Sequence, residues 1–391
     1  MTGAMYAAIS GLKSHMSKLN VIGNNIANVN TYGYKTARMT FRESMYTTLI
    51  SGTDGGNLTG GINPSQVGYG VTVGSIDLNM STATYAPTGV DMDCMIDGEG
   101  FFMVGEKGMN INTANDVGNL TLTRVGDFFV DADGYVCDGA GNVVYGFATV
   151  QNPKYQPDPQ QTDTYDPNPT TVSTQLTALR LPLAAVAPGT GETWEEGEAV
   201  YSVLGEADAT TGARPTLSPA DLTYAATPAF GTTTIRANTE DACIQLESIS
   251  IGADGKVTGI NKATKDTVVV GYIAIASVDN PSGVTHLDGP YYSAQGGAGG
   301  VRVAVLGGAM EGKYLNNKHL ADDLTAIPIS TDDVILSGGT TEIRSGGLEA
   351  SSTDIATEFS EMITTQRGYQ ANTRIVTVTD SMLEELVNIK R

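Results

Sequence analysis

The chain has 391 residues, 40% of them hydrophobic and only 17% charged, enough for two or three domains with cores of their own. Its 43 acidic side chains against 22 Lys and Arg leave a net charge of -21, which excludes nucleic acid as a partner, because phosphate binding needs a basic face. Three cysteines, Cys94, Cys137 and Cys243, form neither a disulfide framework nor a metal-ligand spacing, and no stretch approaches the roughly 18 apolar residues of a membrane span, so no membrane insertion is expected.

Residues 2–27 read as one helix, on the order of 40 Å long at the usual rise. Met5, Ile9, Leu12, Met16, Leu19, Gly23 and Ile26 step alternately by four and three, which is a heptad stripe. The helix is expected to stop in Asn28-Val29-Asn30-Thr31-Tyr32-Gly33, where Asn and Gly accept left-handed backbone angles. The N-terminus has no basic segment followed by an apolar run, so no signal peptide is expected. The first 45 residues carry Lys13, Lys18, Lys35, Arg38 and Arg42 against Glu43 alone, whereas the last 46 are net acidic. Opposite signs at the two ends favour their association.

The string from Leu19 to Lys35, with Asn24-Asn25-Ile26-Ala27-Asn28 at its centre and Gly33-Tyr34-Lys35 at its end, resembles the N-terminal signature of the bacterial flagellar axial proteins, the rod, hook and hook-junction subunits. The Tyr34-Lys35 ending is similar to the rod and hook branch.

Residues 46–70 are rich in Gly, Thr and Ser and read as linker or irregular packing. Gly68-Tyr69-Gly70-Val71-Thr72-Val73-Gly74 has the wrong spacing for a dinucleotide fingerprint, with no strand before it and no helix after. Residues 71–148 read as strands. Phe128-Phe129-Val130 and Tyr135-Val136 flank Asp131-Ala132-Asp133-Gly134, the pattern of a hairpin with an Asp-Gly turn. A calcium loop around Asp131, Asp133 and Asp138 is the sharper reading, but the EF-hand spacing and its terminal Glu are missing. Gly98-Glu99-Gly100-Phe101-Phe102 and Thr123-Arg124-Val125-Gly126-Asp127-Phe128 resemble segments of the same axial family.

Five prolines between Pro153 and Pro169 mark a boundary. Beyond it, short β-like runs such as Ile249-Ser250-Ile251 and Val268-Val269-Val270 suggest a second β domain. Trp194, in an acidic loop-like stretch, reads as a packing anchor. Val301–Leu306 and Ile327-Pro328-Ile329 read as extended segments completing the first β domain.

The final helix shows the same stepping through Ile355, Phe359, Met362, Gln366, Tyr369, Thr373, Val376, Asp380, Leu383 and Val387, with Leu386 beside it. Ser351 with Asp354 has capping-box spacing, and Thr353 is another candidate cap. Met362–Asn372 and Met382–Arg391 are similar to the C-terminal signature of the hook and rod family. Gly23, Gln366, Thr373 and Asp380 occupy stripe positions where a self-sufficient coiled coil wants Leu or Ile. An ordinary helical hairpin and an assembly element both explain the heptads. The polar stripe positions favour assembly, in which neighbouring subunits cover the remaining faces.

The expected fold is mixed α and β: a discontinuous multidomain chain with paired N- and C-terminal coiled-coil helices and two mainly-β domains, one inserted in the other. The expected partition is a helical domain from 1–30 and 350–391, linkers at 31–70 and 325–349, an inner β domain from 71–148 and 285–324, and an inserted outer β domain at 149–284. No histidine or carboxylate pair is singled out for acid–base or metal chemistry, and Ser10-x-x-Lys13 lacks the companion elements of an acyl-enzyme, so no enzyme, cofactor or metal is expected.

The resemblance implies a structural subunit of the flagellar hook, a flexible tubular joint that passes torque from rod to filament and encloses an export channel. A distal-rod subunit of the same family is the alternative, and a secreted β-rich adhesin or enzyme the alternative of another class. It implies a homopolymer meeting distal rod, hook cap and hook–filament junction proteins and the flagellar export apparatus, outside the cell beside the basal body, exported without a cleaved signal peptide. The expected assembly residues are the two apolar stripes, with Leu386, and the joint at Asn28, Asn30 and Gly33.

Overall fold

The computed structural model describes residues 2–54, 60–107, 109, 117–151, 170–173, 176–184, 197–201, 203–204, 216–217, 243–304 and 341–389. The chain forms two compact units, one from residues 1–80 with 351–391 and one from 81–350. Expectations placed on Pro153–Pro169, Trp194 and Ile327–Ile329 lie outside the described residues.

The first unit begins with helix α1, Thr2–Ala27. It unwinds where expected. The Asn28 amide bonds back to the carbonyls of Asn24 and Asn25, Val29 to that of Ile26, and buried Gly33 takes φ 67 in the left-handed region. Four strands follow: β1 Ala37–Glu43, β2 Tyr46–Ile50, β3 Ser65–Gly68 and β4 Val71–Leu78. β1 pairs antiparallel with β4, and β2 with β3. Bonds from Ser44 to Gly70 and from Tyr69 to Met45 join the two pairs into one ribbon.

Helix α2, Ile355–Ile389, completes the unit. Its cap is Asp354, whose carboxylate accepts the Ala356 N–H at 3.1 Å and the Thr357 hydroxyl at 2.6 Å. The Ser351–Asp354 capping box does not form. Ser351 instead accepts the Thr353 amide and donates to the Thr353 hydroxyl.

The second unit is built on one antiparallel sheet. Its main path runs Leu246–Ile251, Lys256–Asn261, Thr267–Ile273, Val143–Gln151, Phe101–Gly105, Thr121–Thr123, Tyr291–Ser293 and Thr285–His286. Phe101-Phe102-Met103-Val104 and Val143-Val144-Tyr145 are buried on both faces, which is why they read as continuous apolar runs rather than alternations. Ile96, Phe102, Val104, Phe128, Val144, Val257, Ile273 and Ile275 share the core, with Phe102 edge-on to Phe128 at 5.1 Å.

The Asp-Gly hairpin is present: Phe129–Val130 pairs with Val136–Cys137, and Gly134 has φ 81. Asp131 Oδ1 accepts the amides of Asp133 and Tyr135. Lys107 bridges the carboxylates of Asp131 and Asp133, so a cation of the protein itself sits where the calcium reading placed a metal.

The structure differs from the expected partition in three places. Val71–Leu78 does not open a β domain but pairs with β1 in the helical unit. The 46–70 stretch is not a plain linker, because β-branched and aromatic residues (Tyr46, Thr47, Thr48, Ile50, Val67) make β2 and β3 despite the surrounding glycines. The described strands between 246 and 278 do not form a separate insertion. Thr267–Ile273 pairs with Val143–Gln151, and Ile275–Val278 with Phe101–Gly105, so one core serves both segments.

Candidate assembly interface

α1 and α2 run antiparallel. Gly11 faces Asn372, Gly368 faces the His15 ring, and Asn25 meets Glu358, so the numbering rises on one helix as it falls on the other. On α1 the buried row is Ala8, Gly11, Ile22 and Asn25, with His15 and Lys18 between. On α2 the facing row is Glu358, Glu361, Thr365, Gly368, Asn372, Ile375 and Thr379, of which Thr365 and Thr379 are buried and Glu361 and Ile375 are exposed. Both rows step by three and four. Each lies one residue before the apolar stripe read from the sequence.

The seam is therefore small and polar rather than apolar. A Cβ on Gly368 would stand 2.8 Å from His15 Cε1, and one on Gly11 2.6 Å from Asn372 Nδ2, so these glycines let the backbones approach closely. Lys18 and Glu361 pair at 2.9 Å across it, a partly exposed pair that contributes little. His15 packs edge-on to Phe41 of β1 at 5.4 Å, and its Nδ1 is buried without a hydrogen-bond partner among the described residues. Burial, and then the Lys18 charge, hold the imidazole below its ordinary pKa.

One residue is about 100° around a helix. In an antiparallel pair, stepping one residue past the seam turns both helices to the same side. The two apolar stripes thus share one face of the pair. Met5, Ile9, Leu12, Leu19 and Ile26 are half-buried there, while Met16 and Gly23 are exposed. From α2, Met362, Tyr369, Val376 and Leu383 are half-buried there, while Ile355 and Phe359 are exposed; Leu386, seven residues beyond Thr379, lies on the seam row instead and is exposed. The ribbon covers the other side of α1, where Ser14 donates to the Val71 carbonyl and Ser10 accepts the Val71 amide.

At the turn after α1, buried Asn25 uses all four of its hydrogen-bonding positions. Nδ2 donates to the Ala37 carbonyl and to Glu358, both at 2.9 Å. Oδ1 accepts from the Tyr34 hydroxyl at 3.0 Å and from the Ala37 amide at 3.1 Å. Tyr34 also accepts from Asn24 Nδ2, and its carbonyl takes the Ser352 amide. Burial raises the Tyr34 hydroxyl pKa, with Glu358 adding to it, and burial raises that of the Glu358 carboxyl. Of the expected joint residues, Asn28 bonds to Asn24, Asn30 is exposed and Gly33 makes the turn. Asn25 and Tyr34 belong to the string that carries the resemblance, but neither they nor His15 and Glu358 are among the expected assembly residues. The signal was the Asn24-Asn25 doublet nine and ten residues before Tyr34.

The outer half of the ribbon is bare on both faces. Every residue of β2 and β3 is exposed, with Met45 at 77% and Leu49 at 65%. In the β unit, Arg124 and Glu349 form a buried ion pair at 3.0 Å, both side chains 2% exposed or less. Arg124 also donates to the Gly98 and Gly100 carbonyls, and Glu349 accepts the Ala83 amide. Among the described residues no group of three or more His, Cys, Asp or Glu is placed to hold a metal, and no helix is long and apolar enough to cross a membrane.

Two family models match the ends that form the helical unit. Residues 5–35 match the flagella basal body rod protein, and residues 344–389 the C-terminal region of the flagellar basal body rod FlgEFG proteins. Among curated relatives, the flagellar basal-body rod protein FlgG of Bacillus subtilis is 28% identical over the whole of both chains. The flagellar hook protein FlgE of Borreliella burgdorferi is 25% identical, again over the whole of both. That of Escherichia coli K12 is 25% identical over 99% of this chain and all of the relative. The chain is thus similar to flagellar rod and hook proteins over its whole length and matches flagellar basal body rod family models at both ends.

Proposed function

We propose that the chain is a structural subunit of the flagellar hook, polymerising into a tube through the apolar face shared by α1 and α2. The observation that carries this reading is the one-residue offset between seam and stripe. Within one chain, the helices meet through small and polar residues and leave Met16, Phe359 and Ile355 exposed on a common side. Ile363 and Val378 are exposed on other sides of α2. A helix apolar on several sides is not finished by one partner, and neighbouring copies supply the missing cover.

In this reading, the subunit works without catalysis. It meets distal rod, hook cap and junction proteins at the ends of the polymer, and it leaves the cell through the flagellar export apparatus without a cleaved signal peptide. Full-length similarity to a rod protein favours a second reading, a distal-rod subunit. Basal bodies isolated from a deletion strain separate the two: complete rods without hooks are expected for a hook subunit, and truncated rods point to a rod subunit. Purified protein that stays monomeric under polymerising conditions overturns both.

A further inference from the structure

We infer that Thr373–Ser381 is a compliant joint inside α2, a stretch where the helix bends and opens locally while the turns on either side stay helical. The joint stands on this chain alone, whereas its use in a tube rests on the polymerising role proposed above.

Ile375-Val376-Thr377-Val378-Thr379 is an unbroken run of β-branched residues. Such side chains lose χ1 freedom against the preceding helical turn. The hydroxyls add to the weakness. Thr373 donates to the Tyr369 carbonyl at 3.0 Å, Thr377 to that of Arg374 at 2.9 Å, Thr379 to that of Ile375 at 2.6 Å and Ser381 to that of Thr377 at 3.1 Å. Back-bonding of this kind slightly destabilises helices and bends them. Beyond Ser381, Met382-Leu383-Glu384-Glu385-Leu386 consists of strong helix formers, so the weak stretch is internal rather than a frayed end.

A helix in a protein is held mainly by what it packs against, and here the ties run out where the weak stretch begins. Asn25 bonds to Glu358, Lys18 pairs with Glu361, His15 lies against Gly368 and Gly11 against Asn372. From Thr373 onward, among the described residues, no side-chain hydrogen bond or ion pair joins α2 to α1. Ile375 and Val378 are 45% and 57% exposed, and of the β-branched run only Thr379 is buried. The shorter run Ile363-Thr364-Thr365 lies inside the tied half instead, with Thr365 buried. A stretch that combines low propensity with few ties is where a structure opens first. In a tube that shortens along one side as it bends, a joint at this place lets the turns beyond Ser381 shift while the tied half keeps its register with α1.

The test is hydrogen–deuterium exchange of the assembled full-length chain, read by mass spectrometry on peptides covering 359–371, 373–381 and 382–387. Corrected for intrinsic rates, the amides of 373–381 should exchange about tenfold faster than those of 359–371. The double variant Thr373→Ala with Thr377→Ala, both at exposed positions, should slow 373–381 several-fold and leave 359–371 unchanged. Equal rates in the two stretches, or a variant that exchanges like wild type, overturn the joint. A rate that rises smoothly from Ile355 to Ile389 marks fraying from the end and overturns it as well. If wild type or variant forms no tubes, both are compared unassembled by the same criteria. Failure of wild type to form tubes overturns the polymerising role, and the exchange profile still decides the joint.

Discussion

Asn25 donates to the carboxylate of Glu358 at 2.9 Å across a separation of 333 residues, and the same carboxamide holds Tyr34 and both backbone groups of Ala37. The end of α1, the first strand and the start of α2 are thereby fixed by one side chain. Asn25→Ala leaves these groups without their partner in a buried site and should cost on the order of 3 kcal/mol. Asn25→Asp should be comparably destabilised at neutral pH, where it faces Glu358, and should recover as the pH falls. Urea unfolding followed by helical circular dichroism reads both. Midpoints equal to wild type would falsify the role of Asn25.

His15 gives the helix pair a pH dependence. Its folded pKa lies below the unfolded value of about 6.5, so its contribution is present above that value and is lost as pH falls through the folded pKa. Glu358 acts oppositely: its folded pKa is raised, so its contribution is present below the unfolded value and lost as pH rises through the folded one. Wild type should therefore lose helix-pair stability on acidification from neutral pH before Glu358 begins to compensate. His15→Gln should flatten the first part of that profile. An unchanged slope in the variant excludes His15 as its source.

The stripe and the seam should respond differently to charge. Ile26→Asp and Leu383→Asp place a carboxylate on the half-buried shared face, and each should block assembly while costing the monomer about 1 kcal/mol. Ile22→Asp, 2% exposed in the seam, buries an unpaired charge and should unfold the pair. Circular dichroism of the monomers and electron microscopy of cells carrying each variant separate the two classes. Normal hooks from cells with Ile26→Asp or Leu383→Asp would show that the stripe is not the interface.

Gly368→Ala sets two effects against each other. Alanine raises helix propensity by about 1 kcal/mol, but its methyl meets the His15 ring, which is itself packed on Phe41, and overpacking costs about 1–3 kcal/mol. The expected net is destabilising. Adding His15→Ala should remove the clash, so the double mutant should lose less than the sum of the singles. A double-mutant cycle with no coupling rejects the close approach.

In the β unit, Glu349→Gln strands a buried guanidinium and should cost about 3–5 kcal/mol, whereas Arg124→Met with Glu349→Leu should lose less than the two single changes together. Denaturant midpoints of the β-sheet signal test this. A loss under 1 kcal/mol from Glu349→Gln rules out the pair as a structural clasp.

Much of the helical unit was legible from the residues. The 26-residue α1, its Asn-rich stop, the long α2 and the Asp-Gly hairpin follow from local chemistry that acts within a few positions. The seam did not, because hydrophobic periodicity marks where apolar residues lie and is blind to a row packed through Gly11, Gly368, Ala8 and Thr365. Both rows repeat every seven residues, so spacing alone could not choose between them. The shared core of Val143–Gln151 and Thr267–Ile273 was hidden for a different reason. The pairing spans more than a hundred residues, and proline-rich sequence between the two segments suggested a boundary.

The Ala350 amide donates to the Thr84 carbonyl at 2.9 Å, and Gly347–Glu349 pairs with Tyr85–Pro87. The β unit therefore clamps its own entry and exit strands side by side. Once it has folded, the chain joining Asn25 to Glu358 behaves as a loop of about 65 residues instead of 333, which lowers the closure entropy by roughly 1.5 kcal/mol. A domain placed in mid-chain thus acts on the termini as a crosslink would. It also imposes a sequence of events on a chain delivered end-first: α1 waits unpaired until α2 arrives, and the fold between them brings the late segment within reach of the early one.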